Sequence, residues 1–223
     1  MTTTLTYLDA YCERAGDPAF WAEPLNAFTN LFFIAAAVMA TRALMRLPSA
    51  SVRSRLDLWL LVAALFSIGI GSFLWHVHPT GSTVLLDVIP ITLFIHIYLV
   101  ASMRRLLHLS WPRVGTWWAL YLAASIVAQM ILPPDFLNGT VMYLPTYFTL
   151  GLLTYAVQKK NKNQGRIFMQ MLLLWSLSLV LRTVDHAVCG TLSVGTHFLW
   201  HTLNAVMLYC LLMVLVRAPR QLR

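Results

Sequence analysis

Charge is what this sequence has least of: 8 Asp and Glu and 16 Lys and Arg make up 11% of 223 residues. A typical soluble domain carries about 25%, so a soluble single domain is excluded. Cysteine is also scarce, at three, too few for a disulfide scaffold. No long polar or low-complexity tract is present, which excludes disorder. No repeat period of about 20 to 50 residues is visible, so repeat architectures and the inverted repeats of many transporters get no support. What the chain does have is 59% hydrophobic and 12% aromatic residues, the composition of an integral membrane protein. The formal net charge of +8 would suit a nucleic-acid binder only if the basic residues formed one patch.

At roughly 20 apolar residues per helical crossing, the sequence predicts seven spans: 25–46, 58–77, 83–102, 114–132, 140–158, 167–187 and 197–216. The expected fold class is an all-α seven-transmembrane helix bundle, with one domain covering 1–223. Basic residues alternate between its loops. Arg42, Arg46, Arg53 and Arg55 follow span one; Arg104, Arg105 and Arg113 follow span three; Lys159, Lys160, Lys162 and Arg166 follow span five. Arg217, Arg220 and Arg223 close the chain, and the intervening loops have none. By the positive-inside rule the segment 1–24, with only Arg14, is extracytosolic and the basic tail 217–223 cytosolic. The basic excess therefore reports topology, and no nucleic-acid partner is expected. Residues 1–24 contain no apolar run of signal-peptide type, so span one is expected to be retained.

Ionisable side chains inside spans are costly and mark candidate sites. They are His76, Asp87, His96, Arg182, Asp185, His186, His197 and His201. Span two ends outward at His76, while spans three and seven begin outward with Asp87 and with His197 and His201. Three helices thus bring these groups to the outer leaflet. His197 and His201 stand four apart and share a helix face, so both imidazoles can meet one metal ion. A third histidine from another helix would complete a three-ligand site with an open position for water, the geometry of catalytic zinc. Asp87 would orient or deprotonate that water, and Ser72, on the same face as His76, would hydrogen-bond a substrate carbonyl. His96 and His186 read as helix-to-helix hydrogen bonds, His78 and His108 as solvated, and Arg182 with Asp185 as an internal ion pair.

The pattern Gly71-Ser72-x-x-x-His76, Asp87, His197-x-x-x-His201 resembles the alkaline ceramidases and the wider seven-span superfamily that includes the progestin and adipoQ receptors. The segments Tyr11-Cys12-Glu13, Ala22-Glu23-Pro24-Leu25-Asn26 with Asn30, and Asp185 to Cys189 narrow the resemblance to the ceramidases. It implies zinc held by His76, His197 and His201, with Ser72 and Asp87 beside it. The substrate would be a ceramide-like N-acyl sphingoid lipid, cleaved to a fatty acid and a long-chain amine. It also implies a calcium site at Glu13 and Glu23. Ala10 and Ala15 depart from that pattern, and Asp9 or Asp17 is the candidate substitute. Cys12 and Cys189 both fall on the outer side of this topology, so a Cys12–Cys189 disulfide is expected. The membrane would be a bacterial inner membrane or a eukaryotic endomembrane, with the site toward the extracytosolic leaflet. The alternatives within the superfamily are a receptor and an ester-lipid hydrolase. A serine protease would leave the other polar residues without a role, and a transporter would need polar groups in both leaflets.

Overall fold

The structure is a computed structural model that describes residues 7–48 and 55–218. Arg53, Arg220 and Arg223 of the charge pattern lie outside the described residues. All regular structure among the described residues is helical. A short α1 (Pro24–Thr29) leads into α2 (Leu31–Met45), followed by α3 (Leu56–Val77), α4 (Gly81–Arg105), α5 (Trp111–Ile131), α6 (Leu144–Lys160), α7 (Lys162–Val188) and α8 (His197–Arg217). Asn30, between α1 and α2, keeps a helical backbone, so Pro24–Met45 runs on as one apolar stretch.

Local signals set the boundaries. Pro24 is the first residue of α1 and Pro145 the second of α6, positions in the first turn where a missing N–H costs no intrahelical bond. Thr80 and Thr83 form a reciprocal cap at the start of α4. The Asn161 side chain accepts from the backbone N–H groups of Asn163 and Gln164 and caps α7.

Among the described residues, six stretches are long and apolar enough to cross a membrane: Pro24–Met45, Leu56–Val77, Gly81–Arg105, Trp111–Ile131, Lys162–Val188 and His197–Arg217. The chain is a multi-pass membrane protein. The stretch expected as span five is the exception, because Gly139 takes a left-handed turn and Thr140–Tyr143 forms a 3-10 turn. That leaves α6 with 17 residues.

α3 and α8 form the centre of the bundle. The apolar window of α8 is 61% buried, whereas that of peripheral α5 is 11% buried and presents Trp117, Leu120 and Ile126 outward. α3 lies along α4, α2 packs on both α3 and α8, and α7 packs on α8. Lipid gives helices no hydrophobic reason to associate, so close backbone approach and polar bonds matter more. Both occur here. Gly71 on α3 faces the backbone of α4, where a Cβ would collide with the Leu86 carbonyl. At the opposite end of the same pair, Arg105 grips Asp57 through two hydrogen bonds of 2.6 Å. The end of α3, the starts of α4 and α8, and the amino-terminal segment meet at one end of the bundle.

Candidate metal centre

His76 lies in the last turn of α3, and His197 and His201 lie in the first two turns of α8. All three are buried, and each offers a ligand atom within 4.8 Å of the others. His76 Nε2 and His201 Nε2 approach to 3.2 Å. Their other ring nitrogens are already engaged. Glu23 Oε2 accepts from His76 Nδ1 at 2.6 Å. Thr29 spends its hydroxyl proton on the carbonyls of Leu25 and Asn26 at 2.9 and 3.0 Å. Its oxygen therefore accepts from His201 Nδ1 at 3.0 Å. These bonds place the protons on both Nδ1 atoms and leave both Nε2 lone pairs facing one point, the outer support that metal-binding histidines require. Nδ1 of His197 is buried with no hydrogen-bond partner. Neutral imidazoles converging from two helices, one with an orphaned nitrogen, fit zinc in its open three-ligand form.

The close approach at Gly71 sets Ser72 beside Asp87. The Ser72 side chain lies within hydrogen-bonding reach of the Asp87 carboxylate. Asp87 Oδ1 is buried without a partner, an acceptor kept free next to the histidines. The structure thus brings together all five residues that the sequence pattern singled out.

Four contributors had no role at the centre assigned from the sequence. Tyr11 stacks on His197 at 3.9 Å and lies 5.0 Å from His76, covering the centre. Burial pushes its hydroxyl well above the ordinary range, so it stays protonated. Thr29 and Arg14 carried no motif of their own beyond polarity near a span. Asp185 is fully buried and accepts three backbone N–H groups, from Cys12, Thr196 and His197. It caps α8 at the turn that carries His197, where a carboxylate meets the helix dipole favourably. The expected ion pair between Arg182 and Asp185 does not form. Arg182 instead turns to the Asn138 carbonyl and over the rings of Tyr143 and Trp200, because Asp185 is saturated by backbone donors. His186 donates to the Ala10 carbonyl at 3.0 Å, and Trp118 donates to His96 across α4 and α5 at 3.2 Å. His78 and His108 are exposed.

A disulfide joins Cys12 to Cys189, with Cα atoms 5.4 Å apart. It ties the amino-terminal segment to the loop before α8.

The sequence model of the ceramidase family matches residues 11–221. The chain belongs to the ceramidase family. Membership implies a hydrolase that acts on amide bonds in a lipid substrate. No curated protein and no solved structure gives a match.

The calcium site expected for a ceramidase of the alkaline type finds no support here. Both oxygens of Glu13 accept from the backbone N–H groups of Leu25 and Asn26 at 2.7 Å. Burial raises the Glu13 carboxyl even against those two bonds. Glu23 is held by Arg14 at 2.6 Å and by His76 and Asn26. Burial pushes Glu23 up, but its hydrogen bonds outweigh that and keep it below the usual carboxylate range. Asp9 is exposed. Among the described residues these acids form no metal-holding group, whereas the three histidines do.

Inward from the three histidines lies a pocket lined mainly by apolar side chains. Ile68 lines it one turn from Ser72, Ile91 one turn from Asp87, and Trp200 and Asn204 flank His201. The same three helices that carry the polar groups therefore also line it.

Proposed function

We propose that the protein is a zinc-dependent intramembrane amidase that hydrolyses ceramide-like N-acyl sphingoid lipids to a fatty acid and a long-chain amine. The carrying observation is the convergence of His76, His197 and His201 next to Asp87 and Ser72, about one helical turn from residues that line an apolar pocket. In this reading the three histidines hold zinc, which supplies Lewis acidity toward an amide carbonyl and lowers the pKa of water. The cavity takes the acyl chain and leaves the amide at the histidines. Asp87 Oδ1 accepts the proton of the attacking water and returns it to the amide nitrogen as the C–N bond breaks and the C–O bond forms. The Ser72 hydroxyl, beside Asp87 in the free protein, turns to the substrate carbonyl oxygen as that atom gains charge.

In the same reading α6 with its 3-10 approach makes a seventh crossing, and residues 1–223 act as a single domain. The charge alternation supports an extracytosolic amino terminus, and the disulfide is consistent with an oxidising side. The centre then faces the extracytosolic leaflet of a bacterial inner membrane or a eukaryotic endomembrane.

The test is release of fatty acid and long-chain amine from a panel of ceramides by purified zinc-loaded protein, with and without a strong chelator. Chelator-sensitive release is expected. No release by protein shown to hold zinc overturns the amidase reading and favours an ester-lipid hydrolase or a receptor.

A further inference from the structure

Arg14 is 2% exposed, an unusual state for a guanidinium in a chain so short of acids. It is nonetheless well satisfied. Its Nε donates to Glu23 Oε1 at 2.6 Å, Nη1 donates to the carbonyls of Asp17 and Ala19 at 3.0 Å each, and Nη2 donates to the carbonyl of His76 at 2.7 Å. One carboxylate oxygen and three carbonyl oxygens thus converge on a single positive group. An all-oxygen set of this kind is what a hard cation collects. The guanidinium supplies the same charge covalently, with a planar fork of donors.

His76 is held twice by this group. Arg14 takes its carbonyl directly and takes its ring through Glu23, whose other oxygen accepts from Nδ1. The ring orientation and the tautomer that bares Nε2 both depend on where Glu23 sits. With the guanidinium removed, Glu23 would keep only His76 and Asn26 as partners in a buried site, and a carboxylate so exposed to desolvation would move.

We propose that Arg14 is a built-in cation and a positioning residue for His76, so that the metal centre works without a second, calcium-type ion at the amino-terminal acids. The proposal rests on the zinc reading above. It also accounts for the missing calcium site, because the oxygens such an ion would need are already occupied.

The experiment measures zinc affinity by chelator competition, and thermal midpoint, for wild type, Arg14→Ala and Arg14→Lys, each with added guanidinium or calcium. Arg14→Ala is expected to weaken zinc binding by about 10- to 100-fold. Guanidinium below denaturing concentration restores it, and sodium at the same ionic strength does not. Calcium raises the midpoint of Arg14→Ala, filling the vacated oxygens, and leaves the wild type unchanged. Arg14→Lys, with charge but no fork, falls between. Wild-type zinc affinity in Arg14→Ala overturns the proposal, as does stabilisation of the wild type by calcium. The calcium measurement on wild type decides the matter even if Arg14→Ala does not fold. A wild type that binds zinc but releases no amine defeats the amidase reading and leaves the Arg14 effect on zinc readable.

Discussion

At the scale of single residues, proton bookkeeping separates metal holders from proton movers. His197 and His201 offer lone pairs and nothing else in the structure replaces them, so His197→Ala or His201→Ala is expected to lose metal and activity together. Asp87→Asn keeps every imidazole in place but removes the free acceptor Oδ1. It is expected to retain zinc and lose about 10²- to 10⁴-fold in turnover. Metal content by atomic spectroscopy beside turnover checks both, and activity in the metal-free histidine variants would defeat the zinc mechanism. The histidine pair was legible in the sequence because a spacing of four fixes a shared helix face. Its supports were not. Glu23 reaches His76 across 53 positions and Thr29 reaches His201 across 172, and no periodicity encodes contacts between elements so far apart in the chain. Arg182 was misread for the related reason that local spacing said nothing of the backbone donors that had already claimed Asp185.

At the scale of elements, the site depends on how closely α3 and α4 approach. Gly71 lets the backbones touch and so sets Ser72 against Asp87. A methyl group there meets the Leu86 carbonyl, which is main chain and cannot swing away. Gly71→Ala is therefore expected to cost about 1–3 kcal/mol of stability and most of the activity. Gly151→Ala, on α6 with open space around it, is expected to change neither. Thermal unfolding and turnover of the two variants make the comparison, and an unaffected Gly71→Ala would remove the close approach from the account. Most helices could be located from apolar runs alone, because crossing length is set by the bilayer. α6 could not be bounded so well, since Gly139 takes a left-handed turn and Thr140–Tyr143 a 3-10 turn without interrupting the apolar run.

At the scale of the whole molecule, the amino-terminal segment closes the bundle. It brings Tyr11 over His197, Arg14 and Glu23 behind His76, and Cys12 to Cys189. Gly195, at φ +63°, passes so close to Asp185 and Cys12 that a side chain has no room. Replacing both cysteines in Cys12→Ser/Cys189→Ser frees the segment at that point. The expected result is a loss of about 2–4 kcal/mol in stability with weakened zinc retention, read by thermal unfolding and chelator competition. Unchanged zinc retention would mean that the Asp185 bonds suffice to hold the segment in place.

The spacing of these partners along the chain carries a consequence for biogenesis. Cys12 waits for a cysteine 177 positions later, and His76 faces a histidine 125 positions later. A ribosome makes the chain from one end, so the first helices enter the membrane long before their counterparts exist. A nascent or truncated chain therefore carries an acid, a serine and one histidine, with no competent centre. In the proposed reading, lipid cleavage would be withheld from the host bilayer until synthesis has reached α8.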